Sequence, residues 1–202
     1  IDADKMSLLV FTSGTTGKGK GVMLSQNNIL SVMTDIIPYI DFSEKTVGVL
    51  PLHHTYGSSV MLVGHAIIGS EIYISAGLRY VQKELKEQKP GHLVLVPLFL
   101  ETFYRKIMAG IKEKGKEKTV RRMMKLCNFF HFGKGIRKKL FGSILESFGG
   151  KVKMVISGGA PIAQDMMDFF SGLGLDVLNG YGITECAPII AVNHNNYIVK
   201  GS

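Results

Sequence analysis

Phe11-Thr12-Ser13-Gly14-Thr15-Thr16-Gly17-Lys18-Gly19-Lys20-Gly21 is the stretch on which the reading of this chain turns. Four glycines, four hydroxyl side chains and two lysines fall within eleven residues, between the apolar runs Leu8-Leu9-Val10-Phe11 and Val22-Met23-Leu24. Glycine lets successive N–H groups converge on an anion, the hydroxyls add donors, and Lys20 adds a mobile positive charge. The stretch is a candidate phosphate-binding loop. A Gly/Thr-rich surface hairpin with solvated lysines would not account for four clustered hydroxyls.

The flanks decide what kind of loop it is. Val22-Met23-Leu24 reads as a strand, so the loop joins two strands in a hairpin. Ser25 stands at a helix N-cap position, and Ile29, Leu30, Val32, Met33, Ile36 and Ile37 recur at helical spacing until Pro38. Gly14-x-x-x-x-Gly19-Lys20 also matches the nucleoside-triphosphatase phosphate loop, apart from its last position. Gly21 stands where that loop needs a Mg²⁺-binding Ser or Thr, and a strand follows where a helix should start. The match is accidental.

Downstream, strands are expected at 46–50, 71–75, 92–96, 151–156, 175–178 and 189–192, and helices at 58–68, 80–89 and 161–173. From Pro97 to about 149 the pattern is helical and basic, interrupted at Gly110, Gly115 and the aromatic turn Asn128-Phe129-Phe130-His131-Phe132-Gly133. The expected fold class is α/β: a largely parallel β-sheet flanked by helices, with the phosphate loop in a β-hairpin. Ligands of such sheets bind beyond the carboxyl ends of the strands, which singles out the loops 51–57, 157–161 and 179–185.

Ser157-Gly158-Gly159-Ala160-Pro161 exposes backbone against which a planar ring can lie, with Pro161 read as the first turn of the next helix. In Asn179-Gly180-Tyr181-Gly182-Ile183-Thr184-Glu185 the tyrosine can stack on a base, the amide can hydrogen-bond one, and Glu185 suits a hard cation beside phosphates. His53 and His54, adjacent in extended backbone, would point opposite ways and could not share a metal. Taken singly, each has an ordinary reading: a strand-to-helix turn, a surface carboxylate, a packed turn histidine.

The chain has 202 residues, 46% of them hydrophobic, enough for a buried core. There is no charged leader before an apolar run, no run of membrane-spanning length, and no Cys-x-x-Cys spacing at Cys127 and Cys186. These features read as a soluble protein of a reducing cytoplasm. The chain opens at Ile1 and stops at Ser202, and is expected to be a fragment. The net charge of +8 is concentrated in residues 105–139, where thirteen Lys and Arg face only Glu113 and Glu117. Such a run is often a solvated helix face. With Met123, Met124, Leu126, Phe129, Phe130 and Phe132 in it, peripheral membrane contact is the alternative. Nucleic-acid binding is disfavoured, because aromatics are not interleaved along most of the run and no binding motif is present.

Together the motifs Thr12-Ser13-Gly14-Thr15-Thr16-Gly17-x-x-Lys20-Gly21, Pro51-Leu52-x-His54-x-x-Gly57, Gly158-Gly159-Ala160-Pro161 and Tyr181-Gly182-x-Thr184-Glu185 resemble the AMP-forming acyl-CoA synthetases of the adenylate-forming superfamily. The basic insertion after Val96-Pro97-Leu98-Phe99-Leu100-Glu101 is most similar to the long-chain fatty-acid branch. The resemblance implies activation of a carboxylic acid with ATP, Mg²⁺ and coenzyme A, the chain being part of the AMP-binding N-terminal domain without the C-terminal domain. It implies that Thr12, Ser13, Gly14, Thr15, Thr16, Gly17 and Lys20 hold the β- and γ-phosphates. Gly158, Gly159, Ala160, Pro161, Asn179, Gly180, Tyr181 and Gly182 would receive adenine. Thr184 would face the α-phosphate, Glu185 with Thr12 would hold Mg²⁺, and His54 would sit by the reacting carboxylate. Gly19 departs from the family, where proline is frequent, and should leave the loop looser. No acidic residue lies between 46 and 70 to pair an amino-acid ammonium, which favours an apolar acid. The fragment alone is expected to bind ATP weakly and not turn over. Its rivals are a catalytically silent nucleotide- or acyl-binding relative, and adenylation of another acid. Acyl chain length and oligomeric state are written in none of these motifs.

Overall fold

A computed structural model describes residues 2–13, 19–195 and 197–198, with Ser13 described in its backbone alone. Gly14, Thr15, Thr16, Gly17 and Lys18, the centre of the phosphate loop, lie outside the described residues. Its two flanks are the expected hairpin: β1 (Met6–Ser13) pairs antiparallel with β2 (Gly19–Ser25), Thr12 opposite Lys20. Ser25 caps α1 (Gln26–Ile36) as its position suggested. Its hydroxyl accepts the Asn28 N–H while the Asn28 side chain accepts the Ser25 N–H, a reciprocal box that satisfies two otherwise orphaned donors. Pro38 falls in the 3₁₀ turn that ends the helix.

The main sheet is formed by β3 (Lys45–Gly48), β4 (Glu71–Ile74), β5 (His92–Leu95), β6 (Met154–Gly158), β7 (Asp176–Tyr181) and β8 (Ala191–Val192). Its order is β4-β3-β5-β6-β7-β8, parallel except for the β7–β8 pair. Strands buried on both faces must be apolar throughout, and these alternate between two cores. Leu93, Leu95, Val155 and Val177 face one, with Leu85, Leu100, Phe103, Phe148 and Phe170. Val94, Met154, Ile156 and Leu178 face the other, with Leu24, Ile29, Met33, Val60 and Met61. The hairpin and α1 thus cover one face. The other is covered by α3 (Val81–Gln88), α4 (Pro97–Glu113) and α8 (Gln164–Gly172).

Several expected boundaries move. The helix expected at 58–68 is a π-helix, Tyr56–Gly64, running into a short α2 (His65–Ile68). Gly110 does not interrupt α4, which runs through it. A lone glycine costs a helix only about 1 kcal/mol, less than the burial of Phe103, Ile107 and Ile111 on its inner face returns. Helix α8 begins three residues after Pro161, so that proline belongs to the preceding loop, not the first turn. Ser157 and Gly158 belong to β6, and Asn179, Gly180 and Tyr181 to β7. Two of the motifs taken as loops therefore begin within strands.

The basic segment is α5 (Glu117–Phe129), α6 (Lys134–Leu140) and α7 (Gly142–Leu145). Arg137 fastens it to the domain. Its guanidinium donates to the Phe132 carbonyl at 2.7 Å, the Cys127 carbonyl at 2.9 Å, the Asn128 side chain at 2.8 Å and the Gly172 carbonyl at 3.5 Å. One side chain so satisfies carbonyls at the ends of α5 and α8. Lys134 adds an ion pair to Asp176 at 2.7 Å, at the start of β7. Among the described residues no helix is long and apolar enough to cross a membrane.

Candidate active site

The carboxyl ends of β3, β5, β6 and β7 open onto one cavity of about 380 Å³, as the rule for parallel sheets requires. Leu50 and Pro51 follow β3, Val96 follows β5, Gly158 and Gly159 end β6, and Gly180, Tyr181 and Gly182 end β7. Ile36, Ile40, Phe42 and Val60 supply apolar wall from α1, the segment after it and the π-helix. His54 and Thr184 are the polar groups of most chemical interest on its lining, and among the described residues no Asp, Glu, Lys or Arg contributes to it. A second cavity of about 320 Å³ adjoins, lined by Gly159, Ala160, Pro161 and Ile162 from one strand end and Asn179, Gly180, Tyr181 and Gly182 from the next. Gly159, Gly180, Tyr181 and Gly182 line both.

The structure thus brings together every residue expected at adenine, with His54 and Thr184 beside them. It does not put Thr12, Lys20 or Glu185 on the lining of either cavity. Glu185 is exposed in the short 3₁₀ turn Thr184–Cys186, next to Thr184, and β2 packs against that turn. The hairpin carrying Lys20 and the turn carrying Glu185 are neighbours at the rim. Among the described residues Glu185 makes no ion pair, and no cluster of three or more His, Cys, Asp and Glu could hold a metal by itself. A single free carboxylate is a donor set that suits a hard cation already held by phosphates.

Two glycines fix the geometry of the shared wall. Gly159 has φ of +84°, a conformation other residues adopt with strain. A Cβ on Gly182 would overlap the Pro188 carbonyl, so the chain after β7 passes directly over it. Backbone can therefore approach a ligand on this wall more closely than side chains would allow.

The sequence reading missed Tyr56. Its ring lies over Gly158, where a Cβ would stand 3.3 Å from the ring's Cζ, and its hydroxyl donates to the Ile156 carbonyl at 3.4 Å. Burial drives that phenol far above its ordinary pKa, so it stays a neutral donor. An aromatic in a turn at a strand's end was signal enough to find it. Ile36, Ile40 and Phe42 gave none, because only the tertiary fold carries them to the cavity. His53 and His54 also correct the reading: they lie in a turn, not extended backbone, with ring centroids 4.4 Å apart.

Behind the apolar cavity two buried histidines form a chain of hydrogen bonds. The Ser43 N–H donates to His92 Nδ1 at 3.1 Å, so His92 carries its proton on Nε2. That proton is given to His65 Nε2 at 2.7 Å, leaving His65 Nδ1–H to donate to the Val60 carbonyl at 3.0 Å. The Ser43 Oγ also lies 2.6 Å from His92 Nδ1, and in this arrangement both rings are neutral. Burial lowers both pKa values, that of His92 to about 3, with the neighbouring His65 adding to the effect. Phe42 packs edge-on against both rings.

The chain belongs to a family of adenylating enzymes: residues 1–201 match the family described as AMP-binding enzyme. It is 30% identical to the long-chain-fatty-acid–CoA ligase 5 of Rattus norvegicus over 197 residues, which is 91% of this chain and 29% of that one. With a chloroplastic long-chain-fatty-acid–[acyl-carrier-protein] ligase of Arabidopsis thaliana it shares 27% over 244 residues, 100% of this chain and 33% of that one. Among solved structures, the adenylation domain of a carboxylate reductase from Mycobacterium chelonae superposes with a TM-score of 0.74 at 26% identity, over 95% of this chain and 28% of that one. ATP-bound MatB from Rhodopseudomonas palustris gives 0.70 at 22% identity, over 100% of this chain and 34% of that one, a likeness of fold. The chain spans about a third of the length of the relatives it matches.

Proposed function

We propose that the full-length protein carrying this chain activates a fatty acid as its coenzyme A thioester, and that the chain is part of its AMP-binding domain with residues 105–139 as an insertion. The observation that carries this reading is the pair of adjoining cavities. One is apolar and, among the described residues, free of charged side chains, suited to an alkyl chain. The other is a slot between two strand ends, suited to a planar base, and the glycine-rich wall between them is where the two substrates would meet.

In the first step a carboxylate oxygen of the acid attacks the α-phosphorus of ATP. A P–O bond forms, the bond to the bridging oxygen breaks, and pyrophosphate leaves. In the second, the coenzyme A sulfur attacks the acyl carbon, the acyl–phosphate bond breaks, AMP departs and the thiol proton passes to solvent. Catalysis of this kind is positioning and charge neutralisation. Gly158, Gly159, Ala160, Pro161, Asn179, Gly180, Tyr181 and Gly182 hold adenine. Thr184 donates to the α-phosphate, and His54 lies by the reacting carboxylate. Thr12, Ser13, Gly14, Thr15, Thr16, Gly17 and Lys20 hold the departing pyrophosphate. Glu185, with Thr12, would hold Mg²⁺, which supplies positive charge to the phosphates when bound. Cys127 and Cys186, both free thiols, fit a cytoplasmic setting.

The absence of a carboxylate on the apolar lining disfavours amino acids as substrates, since an ammonium there would be desolvated and unpaired. ATP–pyrophosphate exchange by the full-length protein across acids of rising chain length tests the reading. Exchange should rise as the alkyl chain lengthens, and exchange driven best by an amino acid or by acetate would refute the substrate class. The 202-residue chain alone should bind ATP weakly and give no exchange.

A further inference from the structure

The basic segment was expected either to pack into the domain or to remain available. The structure divides it. Met123, Met124 and Phe132 pack against the main core, and Cys127 is buried in it. Leu126, Phe129 and Phe130 are instead 54%, 75% and 58% exposed at the carboxyl end of α5. Ile136 and Leu140 are exposed along α6. Large apolar side chains this open to water, grouped on one helical turn, are unfavourable unless something covers them.

Their surroundings say what covers them. From Lys118 through Leu145 there is no Asp or Glu, while eight Lys and Arg are present. Arg122 and Lys125 precede Leu126 and Phe129 by one helical turn and are exposed with them, and the exposed Lys139 follows Ile136 by three residues. Among the described residues none of these three makes an ion pair. The aromatic tip is contiguous: Phe129 meets Phe130 edge-on at 5.1 Å, and Phe130 stacks on the half-buried Phe132 at 5.8 Å, a file of rings from solvent to core. An acidic protein surface or a nucleic-acid duplex would engage the cations but leave the phenyl rings in water. A lipid surface with anionic headgroups takes both, the rings entering the headgroup boundary while the cations meet the phosphates.

We propose that the carboxyl-terminal turn of α5, led by Phe129 and Phe130 and flanked by Arg122, Lys125 and Lys139, docks the protein on an anionic membrane surface. Among the described residues no helix is long and apolar enough to cross a membrane, and the contact proposed here is with the bilayer surface. The proposal does not depend on which acid is activated.

The test is co-sedimentation of the full-length protein with vesicles of phosphatidylcholine alone and of phosphatidylcholine mixed with phosphatidylglycerol. Binding to the mixed vesicles, weakened by salt, is expected. Phe129→Ser with Phe130→Ser should lower partitioning about tenfold. Arg122→Gln, Lys125→Gln and Lys139→Gln should each lower it about fivefold. ATP–pyrophosphate exchange in the absence of vesicles should be unchanged in all of them, since these residues line neither cavity. Equal binding to both vesicle types, no binding, or a serine variant that partitions like the wild type would each overturn the proposal. Displacement from vesicles by nucleic acid with no effect of the serine variant would point instead to a purely electrostatic partner.

Discussion

Lowering the pH should loosen the wall of the apolar cavity through the His65–His92 pair. The sign follows from burial. The folded state holds His92 neutral down to about pH 3, whereas the unfolded chain protonates it near 6.5. Between those values the unfolded state binds the extra proton, so stability is fully present above 6.5 and is lost as the pH falls. For His92 alone the loss from about pH 7 to about pH 5 is roughly 2 kcal/mol, and His65, also lowered, adds to it in the same direction. Urea unfolding of the 202-residue chain, followed by circular dichroism, should show the midpoint falling by about 1 M from His92 alone. His92→Gln keeps an acceptor for Ser43 and a donor for His65 but cannot titrate. It should be less stable than wild type at neutral pH and lose roughly 2 kcal/mol less on acidification. Equal pH dependence in wild type and variant would refute the buried neutral pair.

Three further outcomes follow from packing. Gly182→Ala forces the chain around Pro188 to move and should raise KM for ATP in the full-length enzyme at least tenfold, on the order of 1.4 kcal/mol. Gly180→Ala meets only ordinary contacts at 3.7 Å and beyond, and should leave the thermal unfolding midpoint unchanged. Arg137→Ala strips the carbonyls at the ends of α5 and α8 and should cost about 2–4 kcal/mol, read as a midpoint lower by roughly 5–10 °C; Arg137→Lys should recover only part of it, having no fork of donors.

What the sequence made legible was whatever local chemistry specifies. The hairpin, the Ser25 cap, the alternation of strands and helices and the parallel sheet follow from periodicity and turn residues, and the structure has them. The residues proposed to receive a base could be picked out because glycine, tyrosine and amide side chains recur at strand ends, and the structure places them on two adjoining cavities. Boundaries were not, because pairing with neighbouring strands extends β6 through Gly158 and β7 through Tyr181 beyond what glycine propensity allows. The π-helix, whose Val60 carbonyl also meets the imidazole of His65, carries no periodic signature of its own. That histidine pair, 27 residues apart in sequence, was invisible for the same reason as the cavity wall from α1: only the fold joins them.

Glu185→Ala in the full-length protein is the most direct test. With a long-chain fatty acid, ATP and Mg²⁺ present, wild type should sustain ATP–pyrophosphate exchange and the variant should lose it by at least about a hundredfold, as expected for loss of a group that acts on the reacting phosphates. Exchange at the wild-type rate in Glu185→Ala would contradict the assignment of this rim as the adenylation site.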